Sequence, residues 1–205
     1  MNLAKLFETQ RLLDEHILDE HPELKGQNNL DWKILALQVE LGECANQWRG
    51  FKKWSNDQES RTSVRCPRCS GEGTYAAHYI GGYNQVDCSI CNATGSVRNP
   101  LLEEYVDCLH FILSIGLECD FDKRELNHIH EHNFSVYKER TILIQFEWIF
   151  LTISDFTSEN DLSSYEELFL YFVGLGIHLG FEIEQIEQAY YEKNKINHKR
   201  QESGY

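Results

Sequence analysis

Two carboxylate pairs carry the chemistry that can be read most directly from this chain. Glu40 and Glu43 lie three residues apart in ILALQVELGECANQWRGFKKW, and Glu104 and Asp107 lie three apart in NPLLEEYVDCLHFILSIGL. That spacing puts both members of a pair on one helix face, roughly 5–6 Å apart at Cβ. Like charges side by side on a largely apolar helix repel unless a cation lies between them. Two antiparallel helices, each offering such a pair, can hold a hard divalent ion, and an all-oxygen ligand set suits Mg²⁺ or Mn²⁺ rather than zinc. An ion of this kind keeps open positions for phosphate oxygens, so the implied chemistry is metal-assisted attack of water on a polyphosphate. One acidic i,i+3 pair means little by itself, because 33 Asp and Glu among 205 residues give roughly five by chance. These two stand out because they sit in apolar helices with few other polar residues on the same face.

A second group lies near the C-terminus. Tyr190, Lys193, Asn197 and Arg200 fall at i, i+3, i+7 and i+10, one continuous helix face, in a protein of formal net charge −14. Lys and Arg meet phosphate oxygens and an Asn amide meets a base edge. The same cations also compensate the dipole of a terminal helix, so this face alone does not decide between the two uses.

The third group is Cys66, Cys69, Cys88 and Cys91. The pattern C-x2-C-x18-C-x2-C has the spacing of a four-cysteine zinc site, and a site with no open position is structural rather than catalytic. Gly71, Gly73 and Gly95 follow the two pairs and free backbone N–H groups to turn toward the thiolates. This stretch resembles the CxxCxGxG zinc-binding repeats of DnaJ-type chaperones. The resemblance implies zinc and a ribbon-like turn, not chaperone activity; a protein partner docking at this module is a separate expectation.

An all-α scaffold must position these groups. Helical spacing runs through residues 3–20 at Leu6, Leu13 and Ile17, then from Ile34 to about Trp54, with Asp31 as N-cap and Ile34, Leu37, Val39, Leu41 and Ala45 on its apolar face. Residues 62–98, rich in glycine and holding four cysteines, read as an inserted module within a domain formed by 1–61 and 99–205. Removing it brings the two carboxylate pairs to the separation of a helical hairpin. Helix resumes at Pro100 and runs to about Glu118. Residues 120–135 read as a polar loop in which His128, His130 and His132 are solvated. Tyr137 to Ile153 is apolar helix, Ser164 with Glu167 forms a capping box for a helix from Tyr165 to Gly180, and a last helix covers about 182–200.

Composition narrows the function classes. No apolar run approaches the length of a membrane span, and MNLAKLFETQ lacks a secretory core. The acidic balance argues against nucleic acid as the main ligand. Seven cysteines, an odd count, point to a reducing cytoplasm. The helices between 137 and 180 are apolar around much of their circumference, which predicts a homodimer whose interface draws on them.

Taken in order, Gln10-x-x-Leu13-Asp14, Glu40-x-x-Glu43, Trp48-Arg49-Gly50-Phe51-Lys52-Lys53-Trp54, Glu104-x-x-Asp107-x-x-His110-Phe111 and Tyr190-x-x-Lys193-Asn194-x-x-Asn197-x-x-Arg200-Gln201 resemble the dimeric all-α dUTPase family. That family belongs to the wider group of all-α nucleoside triphosphate pyrophosphohydrolases that includes MazG. The resemblance implies a helical bundle of that type, a homodimer, and hydrolysis of dUTP or a related deoxynucleotide. It assigns Mg²⁺ binding to Glu40, Glu43, Glu104 and Asp107. It puts Phe111 against the base, with His110 beside it, and Gln10 and Asn197 in the nucleoside pocket. Lys193 and Arg200 fall to the phosphates, with Tyr190 on the same face and Lys52 and Trp54 near the site. The alternatives are a dCTP or broader pyrophosphohydrolase, or a non-catalytic binding protein that docks a partner through its zinc module.

Overall fold

The computed structural model describes residues 1–123 and 136–204, which fall into two units. His128, His130 and His132 lie outside the described residues. The first unit takes in residues 1–46 and 103–205, and the second residues 47–102. The helices are α1 (Leu3–Glu20), α2 (Leu30–Trp48), α3 (Pro100–Glu118), α4 (Ile142–Glu159), α5 (Leu162–His178) and α6 (Ile183–Glu202). Only the second unit contains strands among the described residues: β1 (Val64–Arg65), β2 (Thr74–Tyr79), β3 (Gly82–Asp87) and β4 (Ser96–Arg98). No described helix is long and apolar enough to cross a membrane.

In the first unit α5 is the central element. Every residue from Tyr165 to Gly176 except Glu167 is buried, so its apolar character is spent on neighbours within this unit. Each fully buried Phe or Leu contributes about 1.5–3 kcal/mol. Tyr105 of α3 stacks on Phe172, rings 4.4 Å apart and 10° from parallel, and donates its hydroxyl to the Phe172 carbonyl at 3.1 Å. The two helices approach this closely because residue 176 is glycine: a Cβ there would lie 2.5 Å from the Tyr105 hydroxyl. Tyr165 ties α5 to α3 a second time, donating to the Ile112 carbonyl at 3.0 Å. The first and last helices also pair, with α1 packed along α6.

Several boundaries differ from the sequence expectation. Helix α2 begins at Leu30, so Asp31 sits in its first turn rather than capping it. It ends at Trp48, where Arg49 takes a left-handed φ of 63°. Val39 is 51% exposed, and the buried face runs through Ile34, Leu37, Leu41 and Cys44. Helix α4 starts five residues later than expected, with the Thr141 side chain accepting from the Ile144 N–H. The cap of α5 is Asp161: its carboxylate accepts from the Ser164 N–H and hydroxyl, both at 2.9 Å, which puts Ser164 inside the first turn. Asp caps as well as Ser does, so the capping residue was read three positions late.

In the second unit, β1 and β4 pair antiparallel, Val64 opposite Arg98, and close the neck of the cysteine segment. Strands β2 and β3 form a hairpin in register from Thr74–Asp87 to Tyr79–Gly82. Its two-residue turn, Ile80-Gly81, requires glycine at 81, where φ is 120°. The turns before β1 are pinned by Arg61, whose guanidinium pairs with Asp57 and whose N–H donates to the Gln47 carbonyl at 2.8 Å.

Candidate active site

Helices α2 and α3 bring carboxylates together as the i,i+3 spacing requires. Oxygens of Glu40, Glu43 and Glu104 all lie within 4.8 Å of one another. Burial, and then the charges of Asp107, Glu43 and Glu104, push the Glu40 carboxyl up to about 7. Glu104 is raised for the same reasons, burial first. Asp107 stands next to this trio, but its own oxygen accepts from the Lys193 ammonium of α6. Three close carboxylates with a carboxyl raised by crowding fit a hard divalent cation, which removes the repulsion and supplies the charge that burial took away.

Glu40 and Asp107 line a cleft of about 370 Å³ between α1, α2, α3 and α6, together with Phe111, Trp32, Asn197 and Arg200. Its volume lies in the range of small-molecule sites. One wall is a continuous polar network. Gln10 donates from Nε2 to Asp14 at 2.7 Å, and its Oε1 meets the Tyr190 hydroxyl and His110 Nδ1, each at 2.8 Å. Asp14 also accepts from Ser114 at 2.7 Å and lies 3.7 Å from the Lys33 ammonium. Lys33 in turn bonds Glu118 at 2.7 Å. The His110 ring stacks on Tyr190 at 4.2 Å. Burial, then the Lys193 and His198 charges, pull His110 down to about 3, so it is a neutral imidazole at working pH.

The expected residues thus divide. Gln10, His110, Phe111, Asn197 and Arg200 share the cleft with Glu40 and Asp107. Tyr190 is fully buried behind Gln10 rather than on an open face, and Lys193 is held by Asp107. Arg200 reaches Asn197 Oδ1 at 3.4 Å. Lys52 and Trp54 lie in the second unit, where the Lys52 ammonium sits over the Phe51 ring at 5.6 Å and Trp54 is 77% exposed. Lys33, Ser114, Glu118 and Trp32 were not picked out from sequence, and Asp14 was quoted in the first motif without a role. One signal was present: Lys33 precedes Ile34 and Leu37 on a buried face, and a lysine there demands a partner.

The second unit has its own buried group. Sγ of Cys66 and Cys88 are 3.8 Å apart, those of Cys69 and Cys91 3.7 Å, and all four atoms lie within 4.8 Å. Tetrahedral Zn–S bonds of about 2.3 Å separate the sulfurs by about 3.8 Å. The N–H groups of Gly73 and Gly95 donate to Cys69 and Cys91 Sγ at 3.2 and 3.3 Å. This four-cysteine group can therefore bind a metal ion.

Comparison with curated proteins returns no match. The family model described as dUTPase matches residues 2–66 and 92–205, leaving out Met1 and the stretch from 67 to 91, which holds three of the four clustered cysteines. The match covers every residue that lines the cleft, together with the carboxylate trio. The chain belongs to the all-α dUTPase family and is a dUTP diphosphatase by that membership.

Proposed function

We propose that this protein converts dUTP to dUMP and pyrophosphate in a Mg²⁺-dependent reaction at the cleft between α1, α2, α3 and α6. The observation that carries this reading is the trio Glu40, Glu43 and Glu104 beside a nucleotide-sized cleft. When bound, a divalent ion offsets the triphosphate charge and makes an attacking water more acidic. Glu40, Glu43 and Glu104 hold it. Asp107, which now accepts from the Lys193 ammonium, would be the fourth carboxylate available to the ion once a phosphate engages Lys193. Arg200 and Lys193 then face the phosphates, Phe111 lies against the base, and Asn197 meets its polar edge. The resemblance adds Lys52 and Trp54 to the substrate contacts. Cys66, Cys69, Cys88 and Cys91 hold one structural Zn²⁺, and the chain assembles as a cytoplasmic homodimer through the α4–α5 region.

The test is a panel of dUTP, dCTP, dTTP and dATP with Mg²⁺, separating monophosphate and pyrophosphate products. The expected result is dUMP and pyrophosphate from dUTP, with no turnover in Mg²⁺-free buffer or in Glu43→Gln. Equal kcat/KM for dUTP and dCTP would move the assignment to the broader pyrophosphohydrolase group.

A further inference from the structure

Two residues that line the cleft, His110 and Gln201, each have a buried polar atom without a hydrogen-bond partner among the described residues, and that of His110 belongs to the polar wall. His110 Nε2 is buried and has no hydrogen-bond partner among the described residues, although the residue lines the cleft and is only 5% exposed. Its ring carries one proton, because the imidazole is neutral. Which nitrogen holds that proton depends on Gln10. As long as Asp14 is ionised it offers only acceptor oxygens, so the Gln10 group facing it must be the amide NH₂. Gln10 Oε1 then faces His110 Nδ1, an acceptor again, and the His110 proton must sit on Nδ1. Nε2 is left as a bare lone pair. One wall of the cleft thus holds an acceptor whose polarity is set from Asp14 outward. Tyr190 fits this arrangement, since its hydroxyl donates to the same Oε1.

Asp14 is ionised only with help. Its side chain is 17% exposed, and burial raises its carboxyl; the Lys33 charge and the bonds from Ser114 and Gln10 oppose that, while Glu118 works with burial. The groups facing the relay are Lys33 from α2, Ser114, Glu118 and His110 from α3, and Tyr190 from α6. With Asp14 neutral, Gln10 is free to turn over, Nε2 donates to His110 Nδ1, and the imidazole proton moves to Nε2. The acceptor in the cleft becomes a donor.

We propose that Lys33 and Asp14, acting through Gln10, fix the tautomer of His110 and thereby set the base preference of the cleft. The bare His110 Nε2 so formed is an acceptor that matches the N3–H of a uracil-class base and opposes the bare N3 of a cytosine-class base. Lys33, Asp14 and Gln10 are positioning residues in this scheme; His110 touches the base. The inference rests on the reading of this cleft as the nucleoside site.

Two measurements test it. The first is the ¹⁵N spectrum of histidine-labelled protein, with the His110 signals identified by their loss in His110→Gln. Wild type is expected to carry its proton on Nδ1. In Asp14→Asn, the new carboxamide turns its oxygen toward Lys33 and Ser114 and its NH₂ toward Gln10, so the proton is expected on Nε2. The second is kcat/KM for dUTP and dCTP with Mg²⁺ in wild type, Asp14→Asn and Lys33→Met. A mismatched buried hydrogen bond makes the expected fall in the dUTP:dCTP ratio about tenfold in both variants. A wild-type His110 protonated on Nε2 overturns the proposal without any variant. So does a ratio that stays within twofold when the tautomer reverses. Failure of the wild type to release dUMP from dUTP in Mg²⁺ would instead sink the proposed function, and the ¹⁵N result would stand apart from it.

Discussion

The crowding at Glu40 has a consequence for stability that can be worked through. Its carboxyl is held at about 7, against an ordinary value of 4.5, by burial and by three neighbouring carboxylates. Below the unfolded value the group is protonated in both states and the fold bears no charge there. As pH rises, the unfolded chain ionises first, and the folded state loses stability until the folded carboxyl has also titrated, at about 7. A shift of this size corresponds to about 3 kcal/mol at most. Glu40 is only partly buried, so solvent screening reduces the figure to about 1–2 kcal/mol. Glu40→Gln removes the titration. In Mg²⁺-free buffer the variant is expected to be more stable than wild type at pH 8 by about 1–2 kcal/mol, or about 2–8 °C in Tm for a chain of this length. The two should converge near pH 4.5. Saturating Mg²⁺ should reverse the order, because the wild type gains a ligand-bound state that the variant has lost. Thermal melts at pH 4.5, 6 and 8, with and without Mg²⁺, decide it. Equal melting temperatures at pH 8 without Mg²⁺, or a gap that widens on acidification, would refute the account of the site as a charge-crowded cation pocket.

Three further outcomes are expected. Elemental analysis of reduced protein should give one zinc per chain, and a mercurial titration should release it as four thiols react; no zinc in freshly purified protein would end the structural-metal reading. Replacing residues 67–91 by a short Gly-Ser linker should leave Mg²⁺-dependent dUTP turnover within about threefold of wild type, since the family match runs on either side of that stretch; lost activity with an intact melt would show that the segment serves the reaction. Phe150 and Leu151 of α4 are 40% and 53% exposed, so Leu151→Glu should convert a dimer to a monomer by light scattering, and a wild type already monomeric at micromolar concentration would remove the dimer.

What was legible in the sequence was mostly periodic. The i,i+3 carboxylates, the C-x2-C pairs and the apolar faces of α1 and α3 each follow from spacing along one element. The network behind the cleft did not follow, because Asp14, Lys33, Ser114 and Glu118 come from three helices and no local pattern links them. Tyr190 was placed with Lys193 on one face by its spacing, but α6 packs that part of the face against α1, which buries the phenol on Gln10. Boundaries failed where two residues compete for the same task, as Asp161 and Ser164 do at the start of α5.

The pairing of α1 with α6 also governs when the site comes into being. Gln10 and Tyr190 are 180 residues apart in the chain, and Asp107 waits for Lys193 across a further long closure. A nascent chain emerging from the ribosome presents its carboxylates and the Gln10 amide long before their last-helix partners exist. Contacts between distant segments form late, after the local hairpin and helices. A chain interrupted ahead of α6 would therefore be left with crowded acids and an unsupported Gln10, a fragment with no partial activity. On the proposed reading, catalytic competence waits for α6, Ile183–Glu202, which closes the network on Gln10 and Asp107.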